Sequence, residues 1–303
     1  MGDPEDLHIR LVRASLERRG CTVSTFNIAQ FANEATLSFA PTNPVVVQVS
    51  DILGCRVLDS IDAVWYRRQG QPRICVEMID SDREFSLREW GQTLDAMMQS
   101  LDAKFVNTLI AQRSAVKPRQ LVVASRCGLR IPDTLVTSDQ MAAANFIDRH
   151  RGGVIHKTMS APGNQFAATQ RWDEGERGEF ASLLFAPVLF QEEIIGHSDV
   201  RAVVIGDHVM AARFESNPNH VDSRLSRDSP CEPWTLPAPV YNSLLDMMHS
   251  LGLVFGVVDL KITVDDDYVF LEVNPQGQFL YVEMLTGFPI TDALADFLLA
   301  KEA

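Results

Sequence analysis

Glu272 and Asn274 stand in the run FLEVNPQGQF, residues 270–279, where an apolar strand is interrupted by polar side chains. Phe270, Leu271 and Val273 suit a protein interior, and Pro275 closes the run directly after the pair. Strand side chains alternate faces, so a carboxylate and an amide two residues apart point to one side of a sheet. A second apolar run, Val254 to Val264, lies across the acidic stretch Asp265-Asp266-Asp267. If Asp265-Asp266 is a two-residue turn, Asp259 lies directly opposite Glu272 on the same face. A four-residue turn keeps that register, and a three-residue turn moves Asp259 to the other face. Like charges in opposition destabilise a sheet, and burying an unpaired carboxylate is expensive. A divalent cation held between the two would account for the arrangement. Two carboxylates and an amide oxygen are hard ligands, of the kind Mg²⁺ accepts together with substrate phosphates. A solvated face carrying three polar residues is the other reading, and spacing alone leaves it open.

Two further constellations carry charge into apolar runs. Lys157, in VIHKTMS, follows a β-branched run, and a lysine leaving a buried strand needs an anion. Asp199 and Arg201, in SDVRAVVIG, share a face at i, i+2, with Arg213, in MAARF, expected across the hairpin. A planar guanidinium suits a phosphate or acyl phosphate bidentately. The plain alternative is a structural ion pair between Asp199 and Arg201.

The elements that must position these residues alternate between helix and strand. DLHIRLVRASLERRG is amphipathic, with Leu7, Leu11, Ala14 and Leu16 apolar and Gly20 as a stop. CTVSTFNI and NPVVVQVS read as strands, and DAVWYRRQGQP as a strand ending in a Pro/Gly loop. SLREWGQTLDAMMQSLDAKFVN is a helix of good length, and SDQMAAANFIDRH a helix capped by Ser138 or Asp139. GGVIHKTMSAPGNQFAAT reads as strand, loop, strand, and APVLFQEEI as a strand. SDVRAVVIGDHVMAARFES forms a hairpin turning at Gly206-Asp207. Residues 217–239 read as one long loop, at this length functional or mobile. APVYNSLLDMMHSLG and PITDALADFLLA are helices. Only Met1-Gly2 precede DPEDLH, so the strand that usually opens an alternating α/β domain is either absent or lies before the recorded start.

At 303 residues the chain has room for two or three domains. Its net charge of −13 argues against a general binder of nucleic acid or acidic membrane. Five scattered cysteines without a C-x-x-C pair read as reduced thiols in a cytoplasmic protein and offer no zinc site. No apolar run is long enough to span a bilayer, and no signal peptide is present.

The segment GVVDLKITVDDDYVFLEVNPQGQFLYVEMLTGFPITDALADFL resembles the C-terminal signature of the ATP-grasp ligases. Its tail, NPQGQFLYVE…TGFPI, is similar to the graspetide synthetases, the microviridin-type peptide macrocyclases, and so is VWYRRQGQP. The resemblance runs over nearly the whole chain from Leu7. It implies a mixed α/β (α+β) ATP-grasp fold of three subdomains, with boundaries expected at 1–108, 109–190 and 191–303. The nucleotide is then expected between the central and C-terminal subdomains. By resemblance Lys117, in AVKPRQL, reaches the α- and β-phosphates of ATP, Lys157 contacts the nucleotide, and LFQEEI is the adenine linker. Gln191, Glu192, Glu193 and Ile194 fall in that linker, with Glu192 and Glu193 not distinguishable, and Asp199 is added to the nucleotide set. MSAPGNQF corresponds to the loop over the triphosphate, although Pro162-Gly163 equally suits a plain hairpin turn. Asp222 and Arg224, in HVDSRLS, resemble a D-W-R element in which Ser223 here replaces the tryptophan.

The activity so implied is ATP-dependent ligation with Mg²⁺ on Asp259, Glu272 and Asn274. A side-chain carboxylate becomes an acyl phosphate, held by Arg201 and Arg213. A Ser/Thr hydroxyl of the same peptide then gives an ω-ester, or a Lys amine an ω-amide. The partner implied is a ribosomal precursor peptide with a leader and a core rich in Thr/Ser and Asp/Glu. Arg67, Arg68, Arg73, Arg224 and Arg227 are candidates for guiding an acidic core onto an acidic protein. A homodimer is compatible with this reading. A RimK-like glutamate or amino-acid ligase, or an inactive nucleotide- or leader-binding module, are the alternatives on the same fold.

Overall fold

The computed structural model describes the chain except residues 44, 53, 59, 68–69, 71, 75–76, 160–168, 217–230 and 301–303, and the side chains of 174 and 176–179. The first element is α1 (Leu7–Arg18); no strand precedes it among the described residues. Asp6 caps α1 by accepting from the His8 N–H at 2.8 Å, and Gly20 follows with φ of 82°. Residues 21–27, expected as a strand, have no ladder partner. They lead into a single 3-10 turn over Ile28–Gln30, where the Asn27 side chain accepts from Ala29 N–H at 3.1 Å. A short polar side chain that bonds the local backbone favours a turn over a ladder.

Strands β1 (Thr36–Ala40), β2 (Val46–Asp51) and β3 (Gly54–Leu58) form an antiparallel meander. β4 (Ala63–Trp65) and β5 (Lys104–Val106) pair in parallel, and α2 (Asp80–Ser100) lies between them in sequence. Phe31, Val47, Val49, Leu94 and Met97 make this unit's core. Next come α3 (Leu109–Ser114) and α4 (Lys117–Arg126). The central unit is a four-stranded antiparallel sheet made of β6 (Thr134–Thr137), β7 (Val154–Lys157), β8 (Gln170–Arg171) and β9 (Val188–Glu192). Its order is β6-β9-β7-β8, with α5 (Gln140–Arg149) packing through Ala143, Phe146 and Ile147 against Val154 and Phe190. Asp139, not Ser138, caps α5, accepting from Met141 and Ala142.

The C-terminal unit contains β10 (Gly196–Ile205), β11 (His208–Glu215), β12 (Cys231–Trp234), α6 (Ala238–Leu251), β13 (Phe255–Thr263) and β14 (Tyr268–Asn274), then α7 (Leu280–Thr286) and α8 (Ile290–Leu299). Its antiparallel sheet has the order β12-β11-β10-β13-β14. The strand β12 falls inside the stretch expected as one loop; it is an edge strand, where Pro233 removes no needed ladder bond. One sheet face (Val200, Ala202, Val204, Val258, Leu260, Phe270) packs on α6 and on α3 and α4. By packing, therefore, residues 109–126 join the C-terminal core, although the expected boundary groups them with the central unit. The other face is apolar only at one end, where Val203, Ile205, Phe255 and Val257 meet α7, α8 and Val12 of α1. Its remaining end carries the charged residues. No helix among the described residues is long and apolar enough to cross a membrane.

The β13–β14 turn differs from the even-length turn that would by itself set Asp259 opposite Glu272. Ile262 faces Tyr268, and the Thr263 N–H donates to the Asp267 carbonyl at 2.9 Å. Three residues, Val264 to Asp266, therefore make the turn, with Asp266 in the left-handed region at φ of 62°. An odd turn should reverse the face of Asp259. A β-bulge restores it: Leu260 faces Phe270 while Asp259 faces Glu272, so Leu271 is the extra residue.

Candidate active site

Three strands bring one row of charge together. Arg201 of β10 faces Asp259 of β13, which faces Glu272 of β14. The Arg201 guanidinium grips Asp259 with Nη1 at 2.8 Å from Oδ1 and 3.1 Å from Oδ2, and its Nη2 donates to the Gln278 carbonyl at 3.3 Å. In the next row Asp199 faces Lys261, whose Nζ lies 2.8 Å from Asp199 Oδ1 and 3.0 Å from Ser216 Oγ. On the other side Val257 faces Asn274, whose Oδ1 accepts from the Gln276 N–H at 2.9 Å. The repulsion between Asp259 and Glu272 is thus relieved by flanking cations. Arg201 relieves one partner, and Lys117 Nζ, 4.0 Å from Glu272 Oε2, the other. Asp259, Glu272 and Asn274 are each partly exposed, so their oxygens are not sealed in the core. This donor set, two carboxylates and an amide beside two cations, fits Mg²⁺ brought in with phosphate oxygens. It does not fit a metal held by protein alone, and no cluster of three His, Cys, Asp or Glu suited to a metal occurs among the described residues.

Lys117 joins the two sheets. It opens α4, where Pro118 follows as a first-turn residue, and its Nζ is also 3.4 Å from the Thr158 carbonyl. Thr158 directly follows Lys157, the last residue of β7, so Lys117 reaches the strand end that carries Lys157. Gln191 is buried, and its Nε2 donates to Thr134 Oγ1 at 2.9 Å. Its cross-strand neighbour is Ile155, two residues from Lys157, so these three share a face. The sequence leaves Glu192 and Glu193 equivalent; the structure separates them. Glu193 is forked by Arg171, with Nη2 at 2.7 Å from Oε1 and Nε at 2.9 Å, whereas Glu192 faces Val154. Ile194, half-buried, follows the strand end.

Arg213 lies across the hairpin, as expected, but on the other face from Arg201: Ala212 faces Arg201, and Arg213 faces Val200. The pleat therefore turns Arg213 to the opposite sheet face, where it pairs with Glu232 and stacks 4.1 Å over the Trp234 ring. Arg67 is not a surface guide for peptide. It is 1% exposed, with Nε 2.9 Å from Asp6 Oδ2 and Nη1 3.0 and 3.1 Å from the Gln276 and Gly277 carbonyls. Arg68, Asp222, Arg224, Arg227 and most of the MSAPGNQF segment lie outside the described residues.

Sequence reasoning missed several polar residues around this site. Lys261 stands in the quoted D-L-K triplet, and its spacing from Asp259 already puts it on the same face. Asn107, Gln120 and His8 gave no signal, because each acts on the backbone of a distant segment. Asp6 binds both His8 Nδ1, at 2.9 Å, and Arg67. Burial would raise the Asp6 pKa, but the His8 hydrogen bond and the Arg67 charge outweigh it and hold the carboxyl well below the usual range. A cavity of about 340 Å³ opens beside Asn274, lined also by Tyr66, Leu109, Gln112, Arg113 and Gln276. Burial pushes the Tyr66 phenol above its ordinary pKa, so it stays protonated there.

Residues 4–113 match the MvdD pre-ATP-grasp domain, and residues 113–298 match the RimK-like ATP-grasp domain. The structure of the macrocyclase MdnB from Microcystis aeruginosa MRC is 30% identical, with a TM-score of 0.86 over 99% of this chain and 98% of that one. The chain belongs to the ATP-grasp ligases, in the macrocyclase group. Two other solved structures are similar to this ligase. The macrocyclase MdnC from the same organism, bound with precursor peptide MdnA, is 27% identical, with a TM-score of 0.90 over 99% of this chain and 98% of that one. A RiPP-associated ATP-grasp ligase from Chryseobacterium gregarium, in complex with ADP and a leader and core peptide, is 25% identical, with a TM-score of 0.87 over 100% and 96%. No curated protein matches.

Proposed function

We propose that this ATP-grasp ligase closes rings in a ribosomally made precursor peptide, joining Asp/Glu side chains to Ser/Thr hydroxyls as ω-esters or to Lys amines as ω-amides. The observation that carries the reading is the row Arg201–Asp259–Glu272, with Lys117 reaching from Glu272 to the strand end of Lys157. A carboxylate cannot condense with a hydroxyl unaided, because hydroxide is a poor leaving group. ATP with Mg²⁺, when bound, supplies a phosphoryl group that makes the carboxylate reactive. Asp259, Glu272 and Asn274 would hold the metal ion. Lys117, opening α4, and Lys157, ending β7, would neutralise phosphate charge. Arg201 orients Asp259 through its two short contacts, so that both carboxylate oxygens keep a fixed direction. The segment from Gln191 to Ile194, with Asp199 nearby on β10, would line the base end of the nucleotide.

Two of the similar structures hold a precursor peptide, one of them beside ADP, which supports a peptide as the substrate here. The cavity beside Asn274 is where a side chain of the core would enter. The subdomain reading follows: an N-terminal unit to about residue 108, a central sheet, and a C-terminal sheet carrying the metal site. The test is incubation with the cognate precursor, ATP and Mg²⁺. The expected result is loss of one water and release of one ADP per ring, with ester rings reopened by mild base. Products that gain the mass of an added amino acid would replace this reading with a glutamate-type ligase.

A further inference from the structure

The loop after β14, residues 275–279, has backbone groups that must find partners, and they find them in the N-terminal unit. The Asn107 amide is 1% exposed and makes four hydrogen bonds. Its Oδ1 accepts from Val254 and Phe255 N–H at 2.7 and 2.9 Å, and its Nδ2 donates to the Phe255 and Pro275 carbonyls at 2.8 and 3.2 Å. The Pro275 carbonyl and the Gln276 N–H belong to one rigid peptide plane. That N–H is the donor to Asn274 Oδ1. The next plane shows the same construction. Arg67 takes the Gln276 carbonyl, and the Gly277 N–H of that plane donates to the Asn274 carbonyl at 3.1 Å. Gly277 in turn leaves no room for a side chain, since a Cβ there would lie 2.4 Å from Val257. His8 ends the loop, its Nε2 accepting from the Phe279 and Leu280 N–H groups at 3.2 and 3.4 Å.

We propose that Arg67 and Asn107 are positioning residues for the reaction: Asn107 acts through one peptide plane on the Asn274 side chain and Arg67 through the next on the Asn274 backbone carbonyl, so that together they aim that side chain at the metal ion. Both residues fall within the pre-ATP-grasp match, so the N-terminal unit would set the geometry of a site on the C-terminal sheet. A guanidinium buried to this depth is expensive to desolvate. A loop needing only solvation could use water on its two carbonyls. Orientation explains the fork: two carbonyls and the Asp6 carboxylate fix the guanidinium plane, and that plane fixes the loop.

The inference rests on the nucleotide–metal reading above, so the test reads Mg²⁺-dependent ADP binding by calorimetry rather than ring formation. Arg67→Lys keeps the charge and loses the fork. It should raise the Mg²⁺ concentration for half-maximal effect about tenfold, in line with the loss of groups that orient metal ligands, and leave ADP affinity in chelator unchanged. In an Asn274→Ala background the same substitution should add less than about a twofold change, because its target is gone. Unchanged Mg²⁺ dependence in Arg67→Lys, or an equal factor in both backgrounds, overturns the proposal. Should Arg67→Lys fail to fold, amide exchange on the wild-type metal-free protein decides. Gln276 and Gly277 should exchange as slowly as β14, and fast exchange overturns the clamp. A wild-type protein without Mg²⁺-dependent ADP binding overturns both readings. One that binds ADP with Mg²⁺ but closes no ring overturns only the proposed substrate.

Discussion

Glu272→Gln keeps the shape of the side chain and removes one of two facing charges. Directly opposed strand residues have Cβ atoms about 5 Å apart, and at an effective dielectric of about 20 two unit charges there repel by about 3 kcal/mol. Losing that repulsion stabilises the metal-free protein. The same substitution removes the attraction of Lys117, whose Nζ is 4.0 Å from Glu272 Oε2. At that distance the attraction is about 4 kcal/mol at the same dielectric and about 1 kcal/mol if water screens it fully. Both side chains are partly exposed, 31% and 24%, so the screened value is nearer. The two terms oppose each other, and the unfolding free energy should move by less than about 2 kcal/mol. Catalysis is different: under the proposed function Glu272 would hold the Mg²⁺, and the amide put in its place would hold it far more weakly. A loss of about 3–4 kcal/mol of transition-state stabilisation corresponds to a rate fall of about 10²–10³. The assay is ADP release with saturating precursor across an Mg²⁺ titration, alongside thermal unfolding in chelator. Turnover near wild type at ordinary Mg²⁺, with the fold intact, would leave the polar face of β14 without the role given to it here.

Arg213→Ala should leave turnover within about threefold of wild type, since Arg213 faces Val200 and the Trp234 ring, away from Arg201; its loss should lower stability by about 1 kcal/mol. A rate fall of orders of magnitude, measured by ADP release, would put Arg213 at the reaction centre despite the pleat. Asp6 gives a pH dependence. Its folded pKa is depressed, so the stability it contributes is present above the ordinary carboxylate range and is lost as pH falls through the folded value. The stability gap between wild type and Asp6→Asn, followed by denaturant unfolding, should therefore shrink steadily below about pH 4, and a gap that widens on acidification contradicts the assignment.

How much of this site was legible depends on whether a residue acts through its own strand or through someone else's backbone. Period-two alternation puts Glu272 with Asn274 and Asp199 with Arg201, and those groupings stand because a side chain's face follows from position in its strand. The pairing of Asp259 with Glu272 stands for a reason that the turn alone does not contain. The turn has three residues, which would have separated them, and the extra Leu271 puts them back. A bulge inside an apolar run leaves no residue-type signature, as Leu271 shows. Arg213 shows the same rule across strands: the two-residue turn at Gly206-Asp207 sets Ile205 opposite His208, which makes Ala212 and not Arg213 the neighbour of Arg201. The one-residue offset decides the face. Arg67 is a different case: an arginine in a Trp-Tyr-Arg stretch reads as a surface cation, and only the tertiary fold reveals two carbonyls and Asp6 around it. Asn107 and Gln120 belong with it. Gln120 spends its amide on the Val273 N–H and carbonyl at 2.9 and 2.8 Å, a bond pair that exists because α4 packs on β14. The polar residues of the proposed site are visible in strand spacing, whereas Arg67, Asn107 and Gln120 bond carbonyls 150 or more positions away in sequence, a separation that no local pattern records.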